Sequence, residues 1–296
     1  MNEVRRLRVS AGEIAFRELG DPEAPAVVLI HGFPTCAHLW RHLAPMLAPT
    51  VRVLVPDLIG AGDSDKPEDA PLGLPEQAGY LGEWLDALGV DRVAAVGHGI
   101  GGGIAQLLAL RGRATAMALM DAAAFDAWPS EVTREAQAHA PAEDPALAAA
   151  AIRTALELGT RRRGRRTDED LEGYVRPFTG TEGARALSRW LLALDGRGLP
   201  DEETLGRLEI PTLVLWGEDD PFFPATLAER LGEALPMASV ALLPGCGHFP
   251  PEEAPETIGP LVAEYLRSRY LGRPHTHEAG PVRVELGRRP PEEARG

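Results

Sequence analysis

The sequence predicts an α/β protein built on a mostly parallel β-sheet with helices on its faces. Three observations lead to this class: short buried apolar runs alternate with helical segments, a glycine-rich corner joins one run to a helix, and one long helical stretch interrupts the pattern. Strands that alternate with helices form parallel sheets through right-handed crossovers. The 296 residues, 44% of them hydrophobic, suffice for one large domain with an inserted subdomain.

The individual elements follow from periodicity. Alternating residues predict two strands at 4–9 and 13–19, with Ala11 and Gly12 in the turn between them. Residues 26–30, AVVLI, form a continuous run of the kind that is buried on both faces of a sheet. Comparable apolar runs predict further strands at 51–55, 92–96, 115–120, 210–216 and 239–243. Helical spacing predicts helices over 74–88, ended by Gly89, and over 100–110.

The glycine-rich corner spans residues 94–106, AAVGHGIGGGIAQ. In the motif G-x-Nuc-x-G, flanking glycines allow a sharp strand-to-helix turn from which the central residue projects. Here the flanking residues are Gly97 and Gly101, and the central residue is Gly99, which has no side chain. A dinucleotide-binding loop is the competing interpretation, since Gly97, Gly99 and Gly102 fit G-x-G-x-x-G and Asp121 follows. That loop, however, opens the first βαβ unit, and the rest of the chain disfavours it.

Composition excludes several classes of partner. The chain has 30 Lys and Arg against 44 Asp and Glu, and its net charge of −14 repels nucleic acid and anionic membranes. Cys36 and Cys246 are too few for a disulfide framework, and the first ten residues lack the apolar core of a signal peptide. No apolar stretch reaches the roughly 20 residues of a membrane span. We therefore expect a cytoplasmic protein whose partner is a small-molecule substrate, and a homodimer stays open.

Two further segments carry a family resemblance. HGFPTCAHLWR at 31–41 and VPDLIGAGDSDKP at 55–67 resemble the branch of the α/β-hydrolase superfamily that contains haloalkane dehalogenases and epoxide hydrolases. The resemblance implies an α/β-hydrolase fold with a mostly parallel eight-stranded sheet, flanking helices and an inserted helical cap. It divides the chain into core segments 1–124 and 206–271, a cap at 125–205 and a mobile tail at 272–296.

The resemblance also assigns a catalytic set. Gly99 occupies the position where this branch has an Asp nucleophile and related esterases have Ser, and the two matching segments favour Asp as the residue that Gly99 replaces. His248, in GCGHFPPEEAPE, matches the catalytic base, and Asp220 in GEDD matches the acid that orients it. Asp121, at the end of the preceding strand, is the alternative acid. The order 99, 220, 248 is the order that this fold requires.

The remaining site residues are expected around this set. The backbone N–H groups of Phe33, after the HG dipeptide, and of Ile100, after the nucleophile position, are the expected oxyanion hole. Residues expected to line the substrate pocket are His31, Pro34, Trp40, Trp128 and Tyr174, of which Tyr174 is the cap tyrosine that could donate to an epoxide oxygen. No metal or cofactor is expected.

The predicted function follows from the departures from the family pattern. The dehalogenases commonly carry Trp directly after the nucleophile and Asn directly after HG as halide ligands, whereas this chain has Ile100 and Phe33. Dehalogenation is thereby disfavoured, which leaves a small apolar ester, lactone or epoxide. Gly99 disables covalent hydrolysis, so two alternatives stay open: a lyase or cyclase that uses His248 and Asp220 as a general base, and a small-ligand binding protein.

Other notable residues are interpreted as structural. The run RRRGRR at 161–166 is followed by acidic residues, and an exposed cap loop is favoured over a phosphate site. Cys36 is disfavoured as a substitute nucleophile, and Cys246 is expected to fill space in a loop. The pair His275 and His277 lacks a third ligand residue for a metal.

Overall fold

The computed structural model describes residues 3–140, 143–162 and 165–272. Its centre is an eight-stranded sheet in the order β1-β2-β4-β3-β5-β6-β7-β8. The first two pairings of that order are antiparallel and all the others are parallel, as predicted. The strands are β1 Arg5–Val9, β2 Gly12–Leu19, β3 Ala26–Ile30, β4 Arg52–Pro56, β5 Val93–His98, β6 Ala114–Met120, β7 Thr212–Gly217 and β8 Ala238–Leu243.

The central strands are buried along their whole length because helices cover both faces of a parallel sheet. Every residue of β3 and of β5 is buried. The core helices are α1 Leu43–Leu47, α2 Leu74–Ala87, α3 Ile100–Leu110, α9 Thr226–Ala234, α10 Pro250–Glu253 and α11 Pro255–Tyr265. Gly89 lies just after the end of α2, as expected, and its φ of 68° is in the left-handed region that glycine adopts without strain.

The segment between β6 and β7 is helical. It contains α4 Glu131–Ala138, α5 Pro145–Gly159, α6 Asp168–Val175, α7 Gly180–Leu192 and α8 Glu202–Leu205. Side chains of Ser130, Asp144, Thr167 and Asp201 cap the starts of α4, α5, α6 and α8 by accepting backbone N–H groups. These helices lie within the range predicted for the cap.

The carboxyl ends of the parallel strands meet at one edge of the sheet. Ile30 pairs with Gly97, and His98 pairs with Met120, so the residues just beyond β3, β5 and β6 are neighbours. Ligand sites of open α/β sheets form at this edge. Each helix in the described part of the chain is too short or too polar to cross a bilayer. The predicted tail, including His275 and His277, lies outside the described residues from position 273 onward.

Candidate active site

Gly99 lies at the corner between β5 and α3, with φ of 56° and ψ of −125°. The neighbouring glycines are required by close backbone contacts: a Cβ on Gly97 would lie 2.3 Å from the Gly101 carbonyl oxygen, and one on Gly101 would lie 2.2 Å from the Ile30 oxygen. Residue 99 differs, because a Cβ there would meet only Gly32 Cα and His248 Nε2, both at an ordinary 3.6 Å. The corner therefore has room for a side chain at residue 99, and that side chain would contact His248.

The structure places His248 and Asp220 in direct contact. The loop after β8 carries His248, whose Nδ1 lies 2.8 Å from Asp220 Oδ2, while the loop after β7 carries Asp220. Both side chains are buried. Asp220 Oδ1 accepts the backbone N–H groups of Phe222, at 2.7 Å, and Phe223, at 3.2 Å. The carboxylate is thus fixed on its own loop and orients the imidazole so that Nε2 faces residue 99.

Two backbone N–H groups border the same space. Phe33 follows the HG dipeptide at the end of β3, and Ile100 is the first residue of α3, where backbone N–H groups lack intrahelical partners. Among the described residues, neither N–H has a backbone hydrogen-bond partner. Both residues, with Gly99 and His248, line one cavity. This arrangement can stabilise an anion that develops beside Gly99.

Aromatic rings hold His248 in place. Phe222, Phe223 and Phe249 surround the imidazole with ring centroids 4.9, 5.5 and 4.9 Å away. Behind it, Nε2 of His98 lies 2.7 Å from the His248 carbonyl oxygen. Burial, together with the proximity of His248, lowers the pKa of His98 well below its usual value. His98 is therefore neutral, and its Nε2–H donates to that carbonyl.

Asp121 brings a second carboxyl group to the same histidine. It follows β6, is fully buried, and its Oδ1 accepts the Gly217 N–H at 3.0 Å. One donor atom from each of Asp121, Asp220 and His248 lies within 4.8 Å of the other two, which is close enough for a shared metal ion. Both oxygens of Asp220 already accept N–H groups, however, so a metal would have to displace the imidazole. A hydrogen-bonded network fits this donor set better than a metal centre.

Glu253 links the histidine loop, residues 244–249 after β8, to the helical segment between β6 and β7. It is fully buried, and its Oε1 accepts the N–H groups of Gly247, at 3.1 Å, and Phe249, at 3.3 Å. Its Oε2 accepts the N–H groups of Arg161 and Arg162, both at 2.8 Å. One carboxylate thus binds both residues that flank His248 and the turn after α5. The sequence analysis did not single out Glu253, although it lies in the histidine motif.

The cavity beside Gly99 has a volume of about 90 Å³. Of the five predicted pocket residues, Pro34 and Trp128 line it, and so do Phe33 and Ile100, which were predicted to form the oxyanion hole. The sequence analysis missed the other lining residues, which come from α4, α5, α7 and the loop after Asp220: Val132, Thr133, Ala136, Ala155, Leu191, Phe222 and Phe223. The pair Phe222 and Phe223 could have been found from its position directly after the acid, whereas the helical residues carry no distinguishing motif.

Three predicted pocket residues lie elsewhere, and their assignment is corrected. His31 is fully buried, and its Nε2 accepts the N–H of Leu58, which follows β4, at 3.0 Å. Trp40 is packed completely in the core. Tyr174 is also fully buried, and its hydroxyl donates to Glu252, which Arg41 holds as well. None of these three lines the cavity beside Gly99, and Tyr174 is not placed to donate to an epoxide oxygen there.

The remaining sequence features lie away from this cavity. Cys36 lines a separate cavity of 340 Å³ together with His38, and burial raises the pKa of its thiol far above the usual range. Burial likewise raises the pKa of the Cys246 thiol. In the basic run, Arg162 donates to the carbonyl oxygens of Gly245 and Pro244. That arginine is half-buried against the histidine loop, whereas Arg161 and Arg165 are exposed, as predicted for the run.

The fold and this geometry define the class of protein. A family model described as the alpha/beta hydrolase fold matches residues 25–255, which is most of the chain. The protein therefore belongs to the alpha/beta hydrolase family. The sheet order and the helices on both sides agree with the predicted fold class.

Two relatives of this chain are haloalkane dehalogenases. The chain is 27% identical to a haloalkane dehalogenase of Bradyrhizobium diazoefficiens, over 92% of this chain and 96% of that protein. It is 29% identical to haloalkane dehalogenase 2 of Mycobacterium tuberculosis, over 88% of this chain and 94% of that protein. Among solved structures, an alpha/beta hydrolase fold protein from Burkholderia ambifaria matches with a TM-score of 0.79 and 27% identity, over 88% of this chain and 97% of that one. The chain thus has haloalkane dehalogenase-like homologues.

Proposed function

We propose that this protein is a hydrolase in which His248, oriented by Asp220, acts as a general base without a covalent intermediate at residue 99. One observation carries the proposal: Nε2 of His248 lies 3.6 Å from the point that a Cβ of residue 99 would occupy. In a relative with a Ser nucleophile there, the imidazole deprotonates that hydroxyl. Beside Gly99 the same nitrogen can deprotonate a water molecule or the substrate itself.

The proposed reaction is direct hydrolysis of an ester or a lactone. His248 Nε2 takes a proton from water as the water oxygen attacks the carbonyl carbon, and the carbonyl π electrons move to its oxygen. The N–H groups of Phe33 and Ile100 stabilise the resulting oxyanion. When the tetrahedral intermediate collapses, the bond to the leaving oxygen breaks, and His248 returns its proton to that oxygen.

The cavity favours a small and largely apolar substrate. Its volume is about 90 Å³, and its side chains are aliphatic or aromatic apart from Thr133 and His248. Trp128 also lines the cavity, and its indole N–H is buried without a partner among the described residues. An ester or lactone fits these features because it presents one oxygen to the backbone donors and a second acceptor oxygen. An epoxide is less favoured because Tyr174 lies outside the cavity.

We further propose that residues 125–205 act as a cap over the cavity. Val132, Thr133 and Ala136 of α4, Ala155 of α5 and Leu191 of α7 supply one side of its lining. The core supplies the other side through the residues around Gly99 and His248. Substrate selection would then depend on the cap helices, while proton transfer would depend on the core.

The test compares the protein with G99S and G99D on a panel of small aryl esters, lactones, epoxides and haloalkanes. The proposal expects the glycine protein to hydrolyse an ester or lactone, with a kcat/KM that His248→Gln lowers by about 10² to 10⁴. The matched control is Gly112→Ser. Gly112 is exposed and has nothing near its Cβ position, so this substitution should leave the activity unchanged.

Two results would contradict the proposal. Activity only in G99S or G99D would identify the glycine protein as a disabled covalent hydrolase and would show which nucleophile the scaffold supports. Inactivity of all three on every substrate would favour a binding function under the cap.

A further inference from the structure

The second carboxyl group at His248 has one oxygen without a conventional partner. Asp121 Oδ1 accepts the Gly217 N–H, whereas Oδ2 is buried and meets no N–H or hydroxyl donor among the described residues. A buried oxygen in this state costs about 1–3 kcal/mol unless it is satisfied in another way. Asp121 lies within hydrogen-bonding reach of the Asp220 carboxylate. Two adjacent carboxylates repel each other when both are charged. One proton shared between them removes that repulsion and gives Asp121 Oδ2 a hydrogen-bond partner.

The hydrogen bonds decide which carboxyl group holds that proton. Asp220 accepts from Phe222 N–H, from Phe223 N–H and from the imidazole Nδ1–H of His248, so it acts as an acceptor toward each of them. A carboxylate offers about four acceptor positions, and one therefore remains. Asp121 has a free oxygen that can carry a hydrogen. The donors and acceptors of the network all match only if Asp121 is the acid and Asp220 is the anion.

We infer that Asp121 is a neutral carboxylic acid whose Oδ2–H donates a hydrogen bond to the Asp220 carboxylate, which makes Asp121 a positioning residue of the His248 base. Asp220 then has four donors, one from each of Asp121, Phe222, Phe223 and His248. The inference rests on the proposed function only in naming His248 as the base. The sequence analysis treated Asp121 as a replacement for Asp220, whereas in this arrangement the two act together.

The surroundings of Asp121 favour the neutral form. The titratable groups that face it are Asp220, His248, Glu253 and Cys246. Burial, and then the charge of Asp220, raise the pKa of Asp121 well above its usual value. The backbone at Asp121 has φ of 43°, in the left-handed region that Asp and Asn tolerate better than most residues. Asn at this position can keep both the backbone conformation and the two hydrogen bonds.

The test measures unfolding of the wild type and D121N from about pH 5 to about pH 8. In the wild type the native state holds a proton that the unfolded chain has already released above about pH 4. Stability of the wild type therefore falls as pH rises, and D121N lacks this dependence. We expect the ratio of unfolding constants, wild type over D121N, to rise up to about tenfold per pH unit until the native pKa is reached. Asp126→Asn, at an exposed aspartate paired with Arg230, is the control and should give a flat ratio.

A second measurement is spectroscopic. At pH 7 the infrared spectrum of the folded wild type should contain the C=O stretch of a protonated carboxylic acid, and D121N should lack it. If the ratio of unfolding constants, wild type over D121N, did not change with pH and that band were absent, the inference would be overturned, because Asp121 would then be ionised. Neither readout depends on turnover, so an inactive protein would refute the proposed function without affecting this result.

Discussion

The backbone N–H of His248 donates a hydrogen bond of 2.7 Å to the carbonyl oxygen of Gly159, the last residue of α5. This bond joins the proposed base directly to the helical segment. A Cβ on Gly247 would lie 2.1 Å from the same carbonyl oxygen, so the two loops approach too closely for any other residue at 247. The position of His248 therefore depends on how the end of α5 packs against the core.

Glu253 stabilises this junction, and its loss should be costly. We expect Glu253→Gln to destabilise the protein because one amide oxygen replaces two acceptor oxygens, and the amide N–H₂ then faces backbone donors. Each buried donor left unsatisfied costs about 1–3 kcal/mol. Chemical denaturation measures the change in free energy of unfolding.

Glu256→Gln is the matched control for Glu253. Glu256 pairs with Arg165 at the surface, with an N···O distance of 2.6 Å. Exposed pairs of this kind contribute about 0–1 kcal/mol. Equal effects of the two substitutions would show that the four backbone hydrogen bonds to Glu253 do not hold the loops together.

Substitutions at Gly99 should lower stability even where they restore a nucleophile. Residue 99 has φ of 56°, and a residue with a Cβ in such a conformation carries strain of about 1–3 kcal/mol. We expect G99S and G99D to melt below the wild type. Gly82→Ala in α2, with open space around its Cβ position, should raise the melting temperature instead. A higher melting temperature for either Gly99 variant would refute this account of the corner.

His98 should make stability fall on acidification. Its pKa is lowered well below the usual value, so the unfolded chain binds a proton near about pH 6.5 that the native state does not. Between about pH 7.5 and about pH 5.5 the wild type should therefore lose up to about 1.4 kcal/mol more stability than His98→Gln. Parallel pH curves for the two proteins would contradict this by showing that the pKa of His98 is the same in the native and unfolded states.

Trp128 should affect substrate binding more than the chemical step. Trp128→Phe keeps an aromatic ring in the cavity and removes the unpartnered indole N–H. For a substrate with a second acceptor oxygen we expect KM to rise about 5- to 10-fold, the value of one hydrogen bond of about 1–1.5 kcal/mol, while kcat changes little. A fall in kcat at constant KM would mean that the indole acts in the transition state.

Ala155→Leu should reduce activity by filling the cavity. Ala155 lines it from α5, and three added carbons would occupy much of its 90 Å³. Ala151→Leu, at an exposed position one turn earlier on α5, is the control with the same change of residue. Loss of activity in the first variant alone would locate the substrate in this cavity, and retention in both would place it elsewhere.

Much of the fold was predictable because it depends on local patterns. The buried run of β3 and the glycine corner at 97–101 specify strand and turn without reference to the rest of the chain. His248 and Asp220 were predictable from motif order, and the 2.8 Å between His248 Nδ1 and Asp220 Oδ2 agrees with that pairing.

The helical segment was less predictable, because its contacts depend on tertiary packing. A tyrosine in the helical segment is the type of residue expected in a substrate pocket, yet the hydroxyl of Tyr174 is hydrogen-bonded to Glu252 and Arg41 in the interior. Arg162 lies in a run that resembles an exposed loop, but its guanidinium binds carbonyl groups of the histidine loop. Neither arrangement leaves a periodic signal, since each joins residues about 80 positions apart.

The most direct test of the central claim is the ratio of kcat/KM between the wild type and His248→Gln on the best ester or lactone substrate. Thermal melting first confirms that both proteins are folded. The account predicts a ratio of about 10² to 10⁴, the usual contribution of a general base. A ratio near one with a measurable wild-type rate would contradict it, because hydrolysis would then proceed without the His248 base.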